Sequence, residues 1–214
     1  MKGKLFLVEG GSGSGKNRLL DELAKEGGVV IRGIVSQNPA ENEELTLAAR
    51  GYLGDGIFNF RDLGARSNDE RFGVLVRGHA IAVHQFNRAR KIKEEGKTVF
   101  MNRSLLSFKA INSLAEEITG EDFLHESLFM GPYELLKQEV DGIILMETPA
   151  VEGLEREGMR GSADRESELI RREVMEFCGE TGIKFITLDA NSLRVEQEVE
   201  NVRKFQQSLP ASQR

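Results

Sequence analysis

The chain has 214 residues, 39% of them hydrophobic and 30% charged, which fits a globular domain long enough to bury a core. Lys and Arg number 29 against 35 Asp and Glu, and the net charge of −6 argues against a general nucleic-acid binder. The lone cysteine, Cys178, excludes an intrachain disulfide and fits a reducing, cytoplasmic setting. The apolar run after Met1–Lys4 spans only about five residues, too short for a signal peptide or a membrane span, so no membrane partner is expected.

Lys4 to Glu9 is apolar, is bounded by glycines, and predicts a buried strand. Gly10 to Lys16 is a glycine-rich loop. Leu19, Leu20, Leu23 and Ala24 recur at helical spacing, so Asn17 to Glu26 predicts a helix that Gly27 and Gly28 stop. Val29 to Val35, rich in β-branched residues, predicts a second strand. Residues 36–67 are polar and glycine-rich, with one short helix expected near Glu43–Arg50. Asp69 to Glu95 predicts one long helix, with Gly73 or Gly78 as the place where an interruption could fall. Thr98 to Met101 predicts a third strand, and Leu105 to Ile118 a helix followed by Gly120. Gly142 to Met146 predicts a fourth strand, with Pro149 just beyond it. Val151 to Glu157 starts a helix, and Gly158 to Asp164 is short, polar and glycine-containing. Arg165 to Thr181 predicts a helix, Ile183 to Leu188 a fifth strand, and Arg194 to Leu209 a last helix. Short apolar strands alternating with helices predict an α/β fold, a parallel sheet with helices on both faces. No repeat or linker divides the chain, so residues 1–214 read as one domain.

The segment Gly10–Asn17 reads GGSGSGKN and matches G-x-x-x-x-G-K, a P-loop between a strand and a helix. Glycines let the backbone wrap an anion and point N–H groups inward, and the helix that follows presents a positive end. Gly10, Gly11, Ser12, Gly13, Ser14, Gly15, Lys16 and Asn17 are therefore the candidates for binding a nucleoside triphosphate, ATP, with Lys16 reaching its outer phosphates. Asn17 stands where Ser or Thr normally gives a hydroxyl to Mg2+.

Further segments follow in a definite order. Val8-Glu9-Gly10 opens the loop, and Val30-Ile31-Arg32-Gly33 follows the second strand. The long helix carries His84-Gln85-Phe86-Asn87-Arg88-Ala89. Gly96 to Ser104 reads GKTVFMNRS. Leu154-Glu155-Arg156, Arg160 and Asp164-Arg165 put arginines beside a glycine-flanked stretch, and Leu188-Asp189-Ala190-Asn191 follows the fifth strand. Over nearly the whole chain this series resembles the thymidylate kinase family and its deoxynucleoside kinase cousins.

The resemblance implies a P-loop NTPase fold with a lid at about residues 157–165. It implies ATP and Mg2+ as cofactors and a nucleoside monophosphate as acceptor, with dTMP to dTDP the first reaction to consider. Glu9 would act as general base or help hold the metal shell. Arg32, Phe72, His84, Arg88, Arg103 and Ser107 would bind the acceptor. Arg156 and Arg160 would close over the migrating phosphoryl group, and Arg165 and Ala190 would border ATP. Asn17 and Asn102 stand at the metal-ligand positions. Homodimers of the family form through the long helix, here Asp69–Glu95. The sequence departs from the thymidylate kinase pattern at Ser12, where an aspartate is usual, at Gly33, which begins a missing Glu-Pro, and at Asn102, where an acid is usual. Two alternatives stay open: a deoxynucleoside kinase, and a nucleotide-binding protein of kinase fold that has lost catalysis.

Overall fold

The computed structural model describes residues 3–11, 13–32, 68–121, 127–147 and 160–210, with the side chains of 68–74, 77, 118, 127–128 and 160–164 outside that description. The expected helices at Glu43–Arg50 and Val151–Glu157, and the end of the expected second strand at 33–35, lie outside the described residues.

Strand β1 (Leu5–Glu9) leads through the loop into α1 (Lys16–Lys25), and β2 (Val29–Ile31) follows. Next come α2 (Asn68–Glu94), β3 (Val99–Asn102), α3 (Leu105–Thr119) and α4 (Ser127–Glu139). The chain continues through β4 (Gly142–Glu147), α5 (Arg160–Thr181), β5 (Phe185–Asp189) and α6 (Val195–Ser208). All strand pairings are parallel, in the order β2-β3-β1-β4-β5. The strands therefore end along one edge, where open α/β sheets bind ligands, and β1 sits at its middle.

Strand residues alternate between two apolar layers. Leu5, Leu7, Val99, Met101, Ile143 and Leu145 face a layer completed by α2, α3, α4 and α5. Phe6, Val8, Phe100, Ile144 and Met146 face the layer of α1 and α6. Both faces of β1, β3 and β4 are covered, and these strands are almost continuously apolar, whereas edge strand β5 is partly exposed. Phe6 stacks on Phe100 at 5.5 Å between ring centroids and meets Phe205 of α6 edge-on at 6.1 Å. Cys178 packs in the first layer as a buried free thiol, pushed up to about 11 by burial.

Helix α2 is the single long helix expected, and two other elements differ from expectation. Helix α2 runs through Gly73 and Gly78 without a break. At Gly78 a Cβ would stand 2.5 Å from the Phe108 ring, so the missing side chain lets α3 approach closely. That packing offsets the propensity cost of a mid-helix glycine, about 1 kcal/mol. Helix α4 has no counterpart in the predicted elements. It contains Gly131 and Pro132, which suppress the local helical signal, yet it buries Phe129 and Leu136. Helix α5 also begins earlier than predicted, at Arg160, so the latter part of the expected 157–165 lid lies in its first two turns.

Candidate functional site

The loop between β1 and α1 has the backbone its glycines imply. Gly10, Gly13 and Gly15 have φ of 141°, 80° and 82°, values that L side chains rarely adopt. A Cβ at Gly10 would also stand 2.4 Å from the Met146 carbonyl oxygen. Gly15 caps α1 without a side-chain bond to its first N–H groups. Those groups and the helix dipole remain available to an anion.

Lys16 turns back into this loop. Its Nζ donates to the Gly10 and Gly11 carbonyls at 2.7 and 2.5 Å and to Ser14 Oγ at 3.0 Å. The residue is 7% exposed. Burial, helped by the nearby Arg103 charge, pushes its ammonium down to about 7. A buried cation enclosed by carbonyl oxygens and next to an open helix N-terminus is suited to receive phosphate oxygens.

Glu9 ends β1 and is fully buried. One carboxylate oxygen accepts from the Ser104 N–H at 2.8 Å, and the other accepts from Ser107 Oγ. Burial raises its carboxyl above the ordinary range, and these hydrogen bonds oppose the rise in part. Ser104 in turn caps α3, its hydroxyl accepting from the Leu106 N–H at 3.1 Å. Glu9 therefore ties β1 to the start of α3, and Ser107, expected against the acceptor, is bonded to Glu9.

Between Asn102 and Ser104, Arg103 adopts a left-handed backbone with φ 59°, an uncommon state for a non-glycine residue. Its N–H donates to the Val8 carbonyl at 3.1 Å. Its guanidinium Nη1 meets the buried Glu166 carboxylate at 2.6 Å. Helix α5 thus reaches the site, and a Cβ on Gly11 would collide with Ser167 Oγ at 1.9 Å. Glu166 and Ser167 were not among the expected site residues. Nothing in the Asp164-Arg165-Glu166-Ser167 stretch separates them from a solvated helix end. Arg165 lies on the same turn but forks onto Glu117 of α3 at 2.8 and 2.5 Å and also pairs with Glu168. Arg160 is the first residue of α5 with its side chain undescribed, and Arg156 and Ser12 lie outside the described residues.

Asn102 and Asn17 meet across the top of the sheet. Asn102 Nδ2 donates to Asn17 Oδ1 at 3.1 Å. Asn102 Oδ1 is buried with no hydrogen-bond partner. This donor set does not fit a protein-held Mg2+. The ion prefers anionic or hydroxyl oxygens, both asparagines are neutral, and the Glu9 oxygens are already engaged. Among the described residues no group of three or more His, Cys, Asp or Glu forms a metal cluster.

The residues expected to bind the acceptor are more scattered. Arg32 ends the described part of the β2 segment and pairs with Asp21 of α1. Gln85 donates to the Arg32 carbonyl at 2.8 Å, a contact that ties α2 to β2 and was not anticipated. His84 and Arg88 are exposed on α2, Phe86 is buried in the core, and the Phe72 side chain is undescribed. His79, also on α2, packs edge-on to Phe129 at 4.9 Å, and burial lowers the pKa of its imidazole. Ala190 lies against the other end of the loop, 3.0 Å from where a Gly15 Cβ would stand. The Asp189 carboxylate and carbonyl accept from Asn191, Ser192 and Leu193, which fixes that turn. No helix among the described residues is long and apolar enough to cross a membrane.

No protein-family model matches the sequence, and no curated protein matches it. Solved structures do match its fold. Thymidylate kinase from Candida albicans, described as having broad substrate specificity, superposes with a TM-score of 0.61 at 14% identity, covering 97% of this chain and 92% of that one. Deoxyadenosine kinase from M. mycoides, solved with bound dATP, superposes with a TM-score of 0.58 at 16% identity, covering 97% of this chain and 100% of that one. The fold is that of the thymidylate kinase-like P-loop kinases.

Proposed function

We propose that the chain binds ATP through the Gly10–Lys16 loop and transfers its terminal phosphoryl group to a nucleoside monophosphate, with dTMP the first acceptor to test. The observation that carries this reading is the enclosed Lys16. Its Nζ lies within a loop of left-handed glycines at an open helix N-terminus. Phosphoryl transfer asks the protein chiefly for placement and positive charge. Lys16 supplies charge at the loop, and Arg103, fixed by Glu166, supplies it at the end of β3. Glu9, buried beside the Ser104 cap, would accept a proton if the acceptor were a hydroxyl, as in a deoxynucleoside kinase. The arginines Arg32, Arg88 and Arg103 would favour a phosphorylated acceptor instead.

The test is a coupled assay of ADP release with purified protein, ATP and a panel of nucleosides and their monophosphates. Phosphorylation of a monophosphate, lost in Lys16→Ala, supports the reading. Turnover undiminished in Lys16→Ala refutes it. The amide pair Asn102–Asn17 favours one second reading, a nucleotide-binding protein of kinase fold without turnover. Tight ATP binding with no product from any acceptor would select it.

A further inference from the structure

The Asn17–Asn102 pair has a consequence for binding that holds whether or not the chain turns over. Asn102 is 9% exposed and ends β3, and Asn17 lies in the first turn of α1. Their side chains join the two elements through a single amide–amide hydrogen bond of 3.1 Å. The bond places the donor end of one amide on the oxygen of the other. A cation approaching Asn17 Oδ1 meets an N–H already bound there. To take that oxygen fully it must break the bond, and it gains only a neutral ligand.

The remaining oxygen, Asn102 Oδ1, is buried without a partner. As a lone neutral acceptor it suits a hydrogen-bond donor better than a bare divalent ion. Of the carboxylates described nearby, Glu9 is held on both oxygens by Ser104 and Ser107, and Glu166 accepts from the Arg103 guanidinium. Freeing Glu9 would leave the buried Ser104 N–H unpaired. Among the described residues, Lys16 and Arg103 together with the N-terminus of α1 offer positive charge beside the loop.

We infer that this chain binds a nucleoside triphosphate with no preference for its magnesium complex, the amide pair having replaced the side chains that would couple a divalent cation to the site. The inference rests on the proposed phosphate loop. It differs from that proposal in concerning the cation alone.

The test measures the dissociation constant of ATP by calorimetry, once with excess Mg2+ and once with EDTA. Coupled sites change one another's affinity on the order of 5- to 150-fold. Here the two constants should agree within about twofold, the ratio that absence of coupling leaves. The double variant Asn17→Thr, Asn102→Asp restores a hydroxyl and a carboxylate. It should bind ATP about tenfold or more tightly with Mg2+ than with EDTA, because the added carboxylate repels bare phosphate and attracts the ion. Its melting temperature shows whether it has folded, and the wild-type comparison stands without it. A wild-type constant about tenfold or more tighter with Mg2+ overturns the inference. No ATP binding in either buffer overturns the phosphate-loop reading and the inference with it.

Discussion

Replacing Glu166 by alanine should destabilise the protein and, on the proposed function, weaken its binding of ATP. The carboxylate lies 2.6 Å from Arg103, with 3% of the Glu166 side chain exposed and 19% of that of Arg103. Removing one member of a buried ion pair costs about 3–5 kcal/mol, because the other charge stays behind. Arg103 retains some contact with solvent, so about 2–3 kcal/mol is the expected loss. Arg103 also holds a left-handed backbone at φ 59°, a conformation that costs on the order of 1 kcal/mol and persists only where neighbours enforce it. Urea unfolding followed by circular dichroism reads the effect. With a slope of about 2–3 kcal/mol per molar urea, the midpoint should fall by about 1 M. Glu166→Gln keeps an acceptor for the guanidinium and should lose less. ATP affinity should fall in the alanine variant, because Arg103 is no longer fixed beside the loop. A midpoint shift below about 0.2 M, with unchanged ATP affinity, would show that water screens the pair and that α5 does not position Arg103.

Two further outcomes follow from the buried charges. Lys16 is held near 7 in the folded chain, below its ordinary 10.5, so the unfolded chain binds the extra proton between those values. Stability of the nucleotide-free protein should therefore rise with pH from about 7 to about 10 on this account, and Lys16→Met should flatten that rise in a series of urea titrations. Phosphate binding favours charged Lys16, so ATP binding at pH 8 should take up protons. Calorimetry in buffers of different ionisation enthalpy would show it, and an identical heat in every buffer would contradict it. Glu9→Gln removes a buried charge while its amide can still accept from the Ser104 N–H and donate to Ser107. Its melting temperature should stay within about 5 °C of the parent, whereas turnover of a hydroxyl acceptor should fall by about 100-fold or more if Glu9 is the base.

The pattern of apolar runs and glycines places four of the five strands and most helices to within two residues, and of the described residues 29–32 of the predicted second strand, Val29–Ile31 are strand. Those features are local. A strand, a glycine turn and an amphipathic helix each depend on residues close in sequence, so Leu5–Glu9, the loop and α1 could be recognised without the rest of the chain. Helix α4 could not, because Pro132 and Gly131 weaken its local signal and burial of Phe129 and Leu136 supplies what propensity lacks. Gly78 likewise reads as a breaker until Phe108 is seen to fill the space beside it.

The site divides along the same line. The sequence by itself determined the backbone of the Gly10–Lys16 loop, since its positive-φ turns are specified by adjacent glycines. It also marked Asn17 and Asn102 as departures from the expected ligands. Only the tertiary structure decided that these two asparagines, 85 residues apart, bond to each other. Only it paired Arg103 with Glu166 across 63 residues and closed Glu9 against Ser104 across 95. A charge or an amide carries no local trace of its partner. The partner is chosen when the sheet brings strand ends together and burial makes an unpaired polar group costly.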